Sequence, residues 1–186
     1  MTITTITKKI GLDKIIYSRN DQWVRDALAM IIGRIVYQGS KLALSRANEI
    51  SCLWEICGVN DSEIDVDKHC YDAMDELLAR QQSIQKKLAN KHLTDGSVIL
   101  YDITSSYFEG EYEDSEVVKF GYNRDKKRSK KQITVALICT KTGCPVAVEV
   151  FAGNTTDSTT VQSKIAEIRD VYKVSNFIFG DSFKRH

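Results

Sequence analysis

The hydrophobic positions of the first ninety residues recur at the spacing of amphipathic helices. Between residues 21 and 37 the apolar side chains fall at i, i+4, i+7, i+8 and i+11, which predicts one helix with a single buried stripe. The stripe consists of Val24, Leu28, Ile31, Ile32 and Ile35. Asp21 is placed to cap the start of this helix, and Gly39 is placed to end it.

Two further helices are predicted in the same region. The stretch LALSRANEISCLWEI predicts a second helix that stops at Gly58, and a third is predicted from about residue 65 to residue 89. No strand pattern interrupts them. The first part of the chain, residues 1–93, is therefore predicted to be a helical N-terminal region.

The pattern changes after the turn signal TDGS at residues 94–97. Short apolar runs predict strands over residues 98–103, 132–140 and 145–153, and the glycine-containing KTGC between the last two predicts a hairpin. Residues 94–186 are therefore predicted to form a second domain that contains a sheet.

The remaining elements of this domain are one helix and one strand. The helix is predicted to begin at Asp157 or Ser158 and to bury Ile165, Ile168 and Tyr172. The stretch NFIFGD predicts a last strand that is apolar on both faces, as buried parallel strands are. The order strand, strand, strand, helix, strand is typical of an α+β or α/β core.

Composition narrows the class of protein without identifying it. A hydrophobic fraction of 42% and a single proline predict a globular chain, and a net charge of +1 does not by itself indicate a polyanionic partner. Five cysteines without a secretory signal predict reduced thiols in a cytoplasmic protein. No apolar run approaches the ~20 residues that a membrane span needs, so no membrane partner is expected.

A zinc site is an open alternative for part of the helical region. Its ligands would be Cys52, Cys57, His69 and Cys70, although the residues between the first two cysteines are typical of a helix core. Without zinc, His69 and His92 are expected on helix surfaces.

Two apolar strand-like runs each lead to an aspartate, Asp102 after VILY and Asp181 after NFIFG. An unpaired carboxylate in such a place is costly, so it is usually hydrogen-bonded, ion-paired or bound to a metal. If the two strands are parallel neighbours, both carboxylates lie at one edge of the sheet, where α/β proteins bind ligands. Mg²⁺ (or Mn²⁺) between them would relieve their repulsion and support phosphoryl transfer on nucleic acid.

Two other interpretations of these aspartates remain open. Asp102 can instead accept hydrogen bonds from Thr104 and Ser105 in a turn, and Gly180-Asp181 can be an ordinary loop signal. A small-molecule enzyme with a Rossmann-like fold is also open, although no glycine-rich phosphate loop follows either strand.

The segment between the first two strands, residues 104–131, is long enough to carry a function of its own. Its first part is acidic, and its second part is basic next to Tyr122. The cations are Arg124, Lys126, Lys127, Arg128, Lys130 and Lys131. Such a run is either a solvated loop or a phosphate-binding surface that positions DNA without reading its sequence.

Four segments together resemble the transposases of bacterial insertion sequences, of the DDE type with a ribonuclease H-like catalytic core. They are YDITSSYFEG, KFGYNRDKKRSKKQI, PVAVEVFAGNTTDSTTV and FIFGD, in order within residues 97–181. The resemblance implies that Asp102 and Asp181 are the first and second catalytic acids and ligands of Mg²⁺ (or Mn²⁺). It also implies DNA transposition at the ends of a mobile element, with DNA as the partner.

The chain departs from this family near its C-terminal end. The family's third acid, a glutamate downstream of the second, has no counterpart in the chain, and Phe183 stands where a glycine is usual. The resemblance therefore predicts an incomplete ribonuclease H-like mixed sheet in a truncated, inactive enzyme. The alternative is a non-catalytic DNA-binding remnant, acting as a homodimer or beside a full-length transposase. Asp157 and Glu149 are weaker candidates for a further ligand.

Overall fold

The computed structural model describes residues 3–110, 112–121, 130–155 and 165–181. The chain divides into two compact units, Met1–Ile84 and Gln85–His186, called here the helical unit and the sheet unit. The division falls within a helix, whereas the sequence pattern placed the boundary between residues 93 and 94. Among the described residues, no single helix is long and apolar enough to cross a membrane, and the one consecutive pair that passes this test together is bent by 98°.

Seven α-helices lie between residues 3 and 92. They are α1 (Ile3–Ile10), α2 (Leu12–Ile16), α3 (Gln22–Val36), α4 (Lys41–Arg46), α5 (Leu53–Ile56), α6 (Asp72–Ala79) and α7 (Gln81–His92). A 3₁₀ turn over Ala47–Glu49 follows α4, and a π-helical turn over Asp67–Tyr71 precedes α6.

Helix α3 confirms the helix predicted between residues 21 and 37. Asp21 occupies the N-cap position with an extended backbone, but its side chain makes no capping hydrogen bond. The predicted stripe is only partly right, because Val24 and Ile32 are buried whereas Ile35 is 61% exposed. The buried face turns instead toward Gly33, where any side chain would overlap Leu44 of α4.

The two other predicted helices are each broken. The helix over LALSRANEISCLWEI stops before Ser51, whose Oγ accepts a hydrogen bond from Leu53 N at 3.3 Å and starts α5 afresh. The helix over residues 65–89 is interrupted at Arg80, where φ is −110° and ψ is 4°. The Arg80 guanidinium lies 5.0 Å from the ring centroid of Tyr17 and 4.8 Å from that of Trp23. Tertiary contacts therefore override the helical period at this position.

His69 lies in the core of the helical unit, so the prediction of a surface position is wrong. Its side chain is 1% exposed, with Nδ1 at 3.1 Å from Asp26 Oδ1 and Nε2 at 3.2 Å from Asp61 Oδ2. Its ring meets Trp54 edge-on, with centroids 6.0 Å apart. Burial raises the pKa of Asp26, and the hydrogen bond and charge of His69 act in the opposite direction. These partners are distant in the sequence, so helical spacing around residue 69 gave no sign of them.

Among its described residues, the sheet unit contains four strands in the order β3-β2-β1-β4. They are β1 (Ser97–Tyr107), β2 (Gln132–Thr140), β3 (Pro145–Ala152) and β4 (Phe177–Asp181). β2 is antiparallel to both β1 and β3, and β4 is parallel to β1. The predicted hairpin and the mixed helix-and-sheet class are confirmed. β1 extends beyond its predicted end at residue 103.

One face of the sheet carries the core of this unit. Ile99, Tyr101 and Ile138 are buried on this face, where they cluster with Ala89 of α7 and with Ile168 in a helical segment that includes residues 165–170. The opposite face is more open, since Val148 and Val150 are 39% and 48% exposed. Ile178 of β4 is 65% exposed, so the predicted burial of both faces of β4 is wrong at this residue.

Two glycines bring the chain before β2 against the end of β3. A Cβ at Gly153 would overlap the carbonyl oxygen of Gln132, and a Cβ at Gly121 would overlap that of Gly153. Gly153 N donates to Val117 O at 3.0 Å, and Gln132 Nε2 donates to Gly153 O at 2.9 Å. The close approach of these backbones therefore excludes side chains at both glycines.

We expect Gly153→Ala to lower the free energy of unfolding by about 3 kcal/mol, because the added methyl group separates backbones that are hydrogen-bonded to each other. Urea denaturation measures the loss. Gly143→Ala is the matched control: it lies in open space at φ 82°, so only its left-handed backbone opposes the substitution, at about 1 kcal/mol. Equal losses for the two variants would contradict the packing argument.

We expect His69→Leu to destabilise the helical unit by about 3–5 kcal/mol, because the buried Asp26 carboxylate loses its partner. The double variant Asp26→Leu/His69→Leu should recover part of the loss, whereas Lys68→Ala, at an exposed ion pair with Asp61, should have almost no effect.

The loss in His69→Leu should shrink as the pH falls from about 7 to about 4. Burial raises the pKa of Asp26, so the folded variant binds a proton more readily than the unfolded chain and gains stability on acidification. Denaturation at several pH values measures this, and a loss that does not change with pH would count against a buried charge at Asp26.

Candidate functional site

Asp102 lies within β1, five residues before the strand's end at Tyr107. Thr104 and Ser105 continue the strand in register with Val135 and Thr134, so the alternative that they form a turn around Asp102 is wrong. Asp102 is half-buried opposite Leu137, and no hydrogen bond or ion pair joins its carboxylate to another described residue. A half-buried carboxylate without such a partner is a candidate ligand for a cation.

β4 ends beside Asp102. The parallel register pairs Ser97 with Phe177 and Tyr101 with Asp181, the last residue of β4. Asp102 is therefore the first residue of β1 beyond the paired stretch, one position past the backbone of Asp181. The prediction that the two aspartates lie on parallel neighbouring strands is confirmed. The side chain of Asp181 lies outside the described residues.

The charge of Asp102 affects the pKa of the Cys139 thiol on β2. Cys139 pairs with Leu100, two residues before Asp102 on the same face of β1. Burial raises the pKa of the Cys139 thiol, and the negative charge of Asp102 raises it further. The thiol is therefore an internal probe of whether Asp102 is charged.

Asp95 joins the entrances of β1 and β4. Its Oδ1 accepts hydrogen bonds from Ser175 N at 2.8 Å and from Asn176 N at 3.4 Å, just before β4. Gly96 N donates to Asn176 O at 2.6 Å, just before β1. The sequence marked TDGS only as a turn, so the positioning role of Asp95 was missed. The carboxylate of an aspartate in a turn next to a strand was the available signal.

The basic run is described only in part. Lys130 pairs with Glu109, and Lys131 Nζ lies 5.9 Å from the ring centroid of Phe120. The remaining predicted residues lie outside the described part of the chain: Tyr122, Arg124, Lys126, Lys127, Arg128 and Asp157.

Glu149 does not share a face of the sheet with Asp102. It pairs with Ala136 of β2, whereas Asp102 pairs with the next residue, Leu137. Because neighbouring residues of a strand point to opposite faces, Glu149 is directed away from Asp102.

The oxygen chemistry of Asp102 fits Mg²⁺ or Mn²⁺, which prefer carboxylate ligands together with water. Within the described ranges, no group of three or more His, Cys, Asp or Glu side chains is placed to hold a metal ion. The zinc alternative is wrong for the same reason, since Cys52 is exposed and both ring nitrogens of His69 face carboxylates.

No family model, curated protein or solved structure matches this chain. The function proposed below therefore depends on the sheet geometry and on the resemblance of the sequence motifs.

We expect Asp95→Ala to loosen the pairing of β4 with β1, because two backbone N–H groups lose their acceptor at a loss of about 1–2 kcal/mol. Hydrogen exchange at the amides of β4 should accelerate more than exchange in the β2–β3 hairpin. Asp95→Asn keeps one acceptor oxygen and should lie between the wild type and the alanine variant. Uniform acceleration across the sheet would show that Asp95 has no specific role in this pairing.

Proposed function

We propose that this chain derives from a DDE-type transposase, and that its sheet carries the first two acidic positions of a metal-dependent phosphoryl-transfer core that acts on DNA. The parallel pairing that brings the backbone of Asp181 beside Asp102 carries this proposal. The motif segments support it, since YDITSSY lies on β1, PVAVEVFA on β3 and FIFGD on β4. The proposal includes the fold: the observed mixed sheet would be part of a ribonuclease H-like core.

Asp102 and Asp181 are the residues that would hold Mg²⁺ (or Mn²⁺). When bound, the cation would activate the attacking oxygen and stabilise the leaving oxygen of a phosphodiester. The edge of β1 from Asp102 to Tyr107 is not paired with β4, so among the described strands that edge is open to a DNA backbone. Asp181 pairs with Tyr101, the residue before Asp102, so the pleat alone would direct positions 181 and 102 to opposite faces of the sheet. The proposal therefore requires the Asp181 carboxylate to reach around the end of β4 to Asp102.

Lysines and arginines would hold the DNA near this edge. Lys130 and Lys131 lie just before β2, beside the far end of β1, and the other cations of the basic run precede them in the sequence. Such residues bind phosphates by releasing counterions, which positions DNA independently of its sequence. The proposal places the protein in the cytoplasm with DNA as its partner, as a homodimer or beside a full-length transposase.

A second candidate function is DNA binding without chemistry. It is favoured by the observation that, among the described residues, no third acid is grouped with Asp102. In this case the sheet would retain the architecture of the enzyme without its catalysis, and the basic residues would bind DNA.

Because no third acid is grouped with Asp102 among the described residues, we expect the purified chain to nick supercoiled plasmid DNA at most weakly in the presence of Mg²⁺ or Mn²⁺. Asp102→Asn should reduce this nicking to the level without metal. Asp102→Asn should not destabilise the fold, because it removes a half-buried charge. Glu149→Gln, a carboxylate on the opposite face of the sheet, is the matched control and should retain nicking. Nicking that survives Asp102→Asn rejects the metal mechanism, and salt-dependent binding without nicking supports the second candidate.

Cation binding at Asp102 can also be measured without catalysis, through the reactivity of Cys139. A cation at Asp102 would neutralise the charge that raises the pKa of Cys139, so Mg²⁺ should accelerate alkylation of this thiol at fixed pH. Asp102→Asn should remove the response, and the exposed Cys52 should show none. Mass spectrometry resolves the five cysteines. No change at Cys139 in the wild type would count against cation binding at Asp102.

A further inference from the structure

Beyond Asp102, β1 leads to a cleft of about 370 Å³. It is lined by Phe108, Glu109, Gly110, Glu113, Phe120, Lys130 and Lys131. The volume falls within the range of ~300–1,000 Å³ that is usual for sites of small ligands. The cleft is separate from the cation site, and it combines aromatic rings with charges of both signs.

Phe120 presents its ring to solvent at the cleft, with 59% of the residue exposed. Lys131 Nζ lies 5.9 Å from the centroid of this ring. Phe108, which also lines the cleft, packs edge-to-face with Tyr112, with centroids 5.1 Å apart. An exposed ring beside an ammonium group suits a ligand with a planar ring and a negative charge.

The exposed position of Phe120 is fixed by its neighbours in the chain. Lys119 N donates to Gln132 O at 3.1 Å and Gln132 N donates to Lys119 O at 2.9 Å, so residue 119 is bridged to the start of β2. Gly121 is in close contact with Gly153, and Val118 is 6% exposed. The ring therefore stands on an anchored segment, which lowers the entropy lost when a ligand stacks on it.

The charges of the cleft narrow the class of ligand. Glu109 and Lys130 form an ion pair with each other, so Glu113 and Lys131 decide the preference. The Glu113 carboxylate disfavours a simple anion, and the Lys131 ammonium disfavours a purely apolar molecule. A nucleotide satisfies both groups, since its base stacks on a ring and offers an N–H donor to a carboxylate while its phosphate contacts an ammonium.

We propose that the cleft binds one unpaired nucleotide of a DNA strand, with its base stacked on Phe120 and its phosphate held by Lys131. The carboxylate of Glu113 accepts a hydrogen bond from an N–H of the base, while Glu109 stays ion-paired with Lys130. The inference rests on the proposed DNA-directed function of the chain, but not on cation binding at Asp102.

The test compares two single-stranded DNA oligomers of equal length, one of thymidine and one abasic, by fluorescence anisotropy without divalent cations. Both carry the same phosphates, so the difference in affinity reports base stacking. The full chain should prefer the thymidine oligomer by about tenfold, the usual scale for one stacked base. Phe120→Ala should abolish this preference, and Phe120→Tyr should restore it.

Lys131 has a matched control at the other end of β2. Lys131→Gln should weaken binding of both oligomers and reduce the slope of log affinity against log salt by about 0.7, the contribution of one phosphate contact on a single strand. Lys141→Gln, in the turn after β2, should change neither. Equal thermal melts of the variants establish that the fold is intact, as the exposure of Phe120 leads us to expect.

Each outcome bears on the cleft separately from the cation site. A preference that persists in Phe120→Ala, or a full chain that binds both oligomers equally, overturns the nucleotide cleft even if plasmid nicking is intact. A preference lost only in Phe120→Ala supports the cleft even if no nicking is detected. Failure to bind either oligomer overturns the cleft together with the proposed DNA-directed function.

Discussion

The pairing of β4 with β1 is the constraint on which the proposed site depends. These strands are far apart in the sequence, so their contact closes a long loop and has an entropic cost that local structure does not offset. Burial of Ile99 and Tyr101 against the helices of the sheet unit opposes this cost. Asp95 adds hydrogen bonds at the entrances of both strands and thereby selects the register. A shift of one residue in this pairing would move Asp181 relative to Asp102.

The two units treat a desolvated carboxylate differently. In the helical unit, Asp26 is buried but lies 3.1 Å from His69 Nδ1 and accepts a hydrogen bond from Gln22 at 3.2 Å, so its carboxylate has hydrogen-bonding partners within the fold. In the sheet unit, Asp102 is half-buried among apolar neighbours and lacks such a partner among the described residues. A carboxylate that is removed from water without a partner indicates a functional position. A carboxylate whose partners lie within the fold indicates a structural position. A carboxylate removed from water thus indicates a structural role at Asp26 and a candidate functional role at Asp102.

Much of the local structure could be predicted from the sequence, because it depends on patterns within short windows. The bounds of α3 and of the β2–β3 hairpin follow from period and turn chemistry, and the two aspartates after apolar runs indicated neighbouring strands. Contacts between distant segments were not predictable in this way. Arg80 breaks a helix through two aromatic rings of the N-terminal region, and His69 is buried by carboxylates that lie elsewhere in the chain. Helical periodicity reflects only residues that are close in the sequence, so it cannot indicate either contact.

The aromatic cleft was missed for a related reason, because contacts between separate segments assemble it. Phe108 N donates to Lys131 O at 2.9 Å, and the two backbone hydrogen bonds between Lys119 and Gln132 bring Phe120 to the start of β2. The position of the cleft along β1 is nevertheless informative. At ~3.3 Å per residue, the six residues from Asp102 to Phe108 place the cleft roughly 20 Å along the strand from the cation site.

If the DNA between the two points is a duplex, this separation corresponds to about six nucleotides at ~3.4 Å each along the helix axis. A base held in the cleft and a phosphodiester at Asp102 would belong to one strand lying along the open edge of β1. Two such anchor points on a rigid strand would fix both the position and the direction of bound DNA. Phosphate contacts alone permit sliding, because every phosphate is equivalent. A stacked base at a fixed distance would place one particular phosphodiester at Asp102. Positioning of the reacting group in this way is one means by which a protein accelerates phosphoryl transfer.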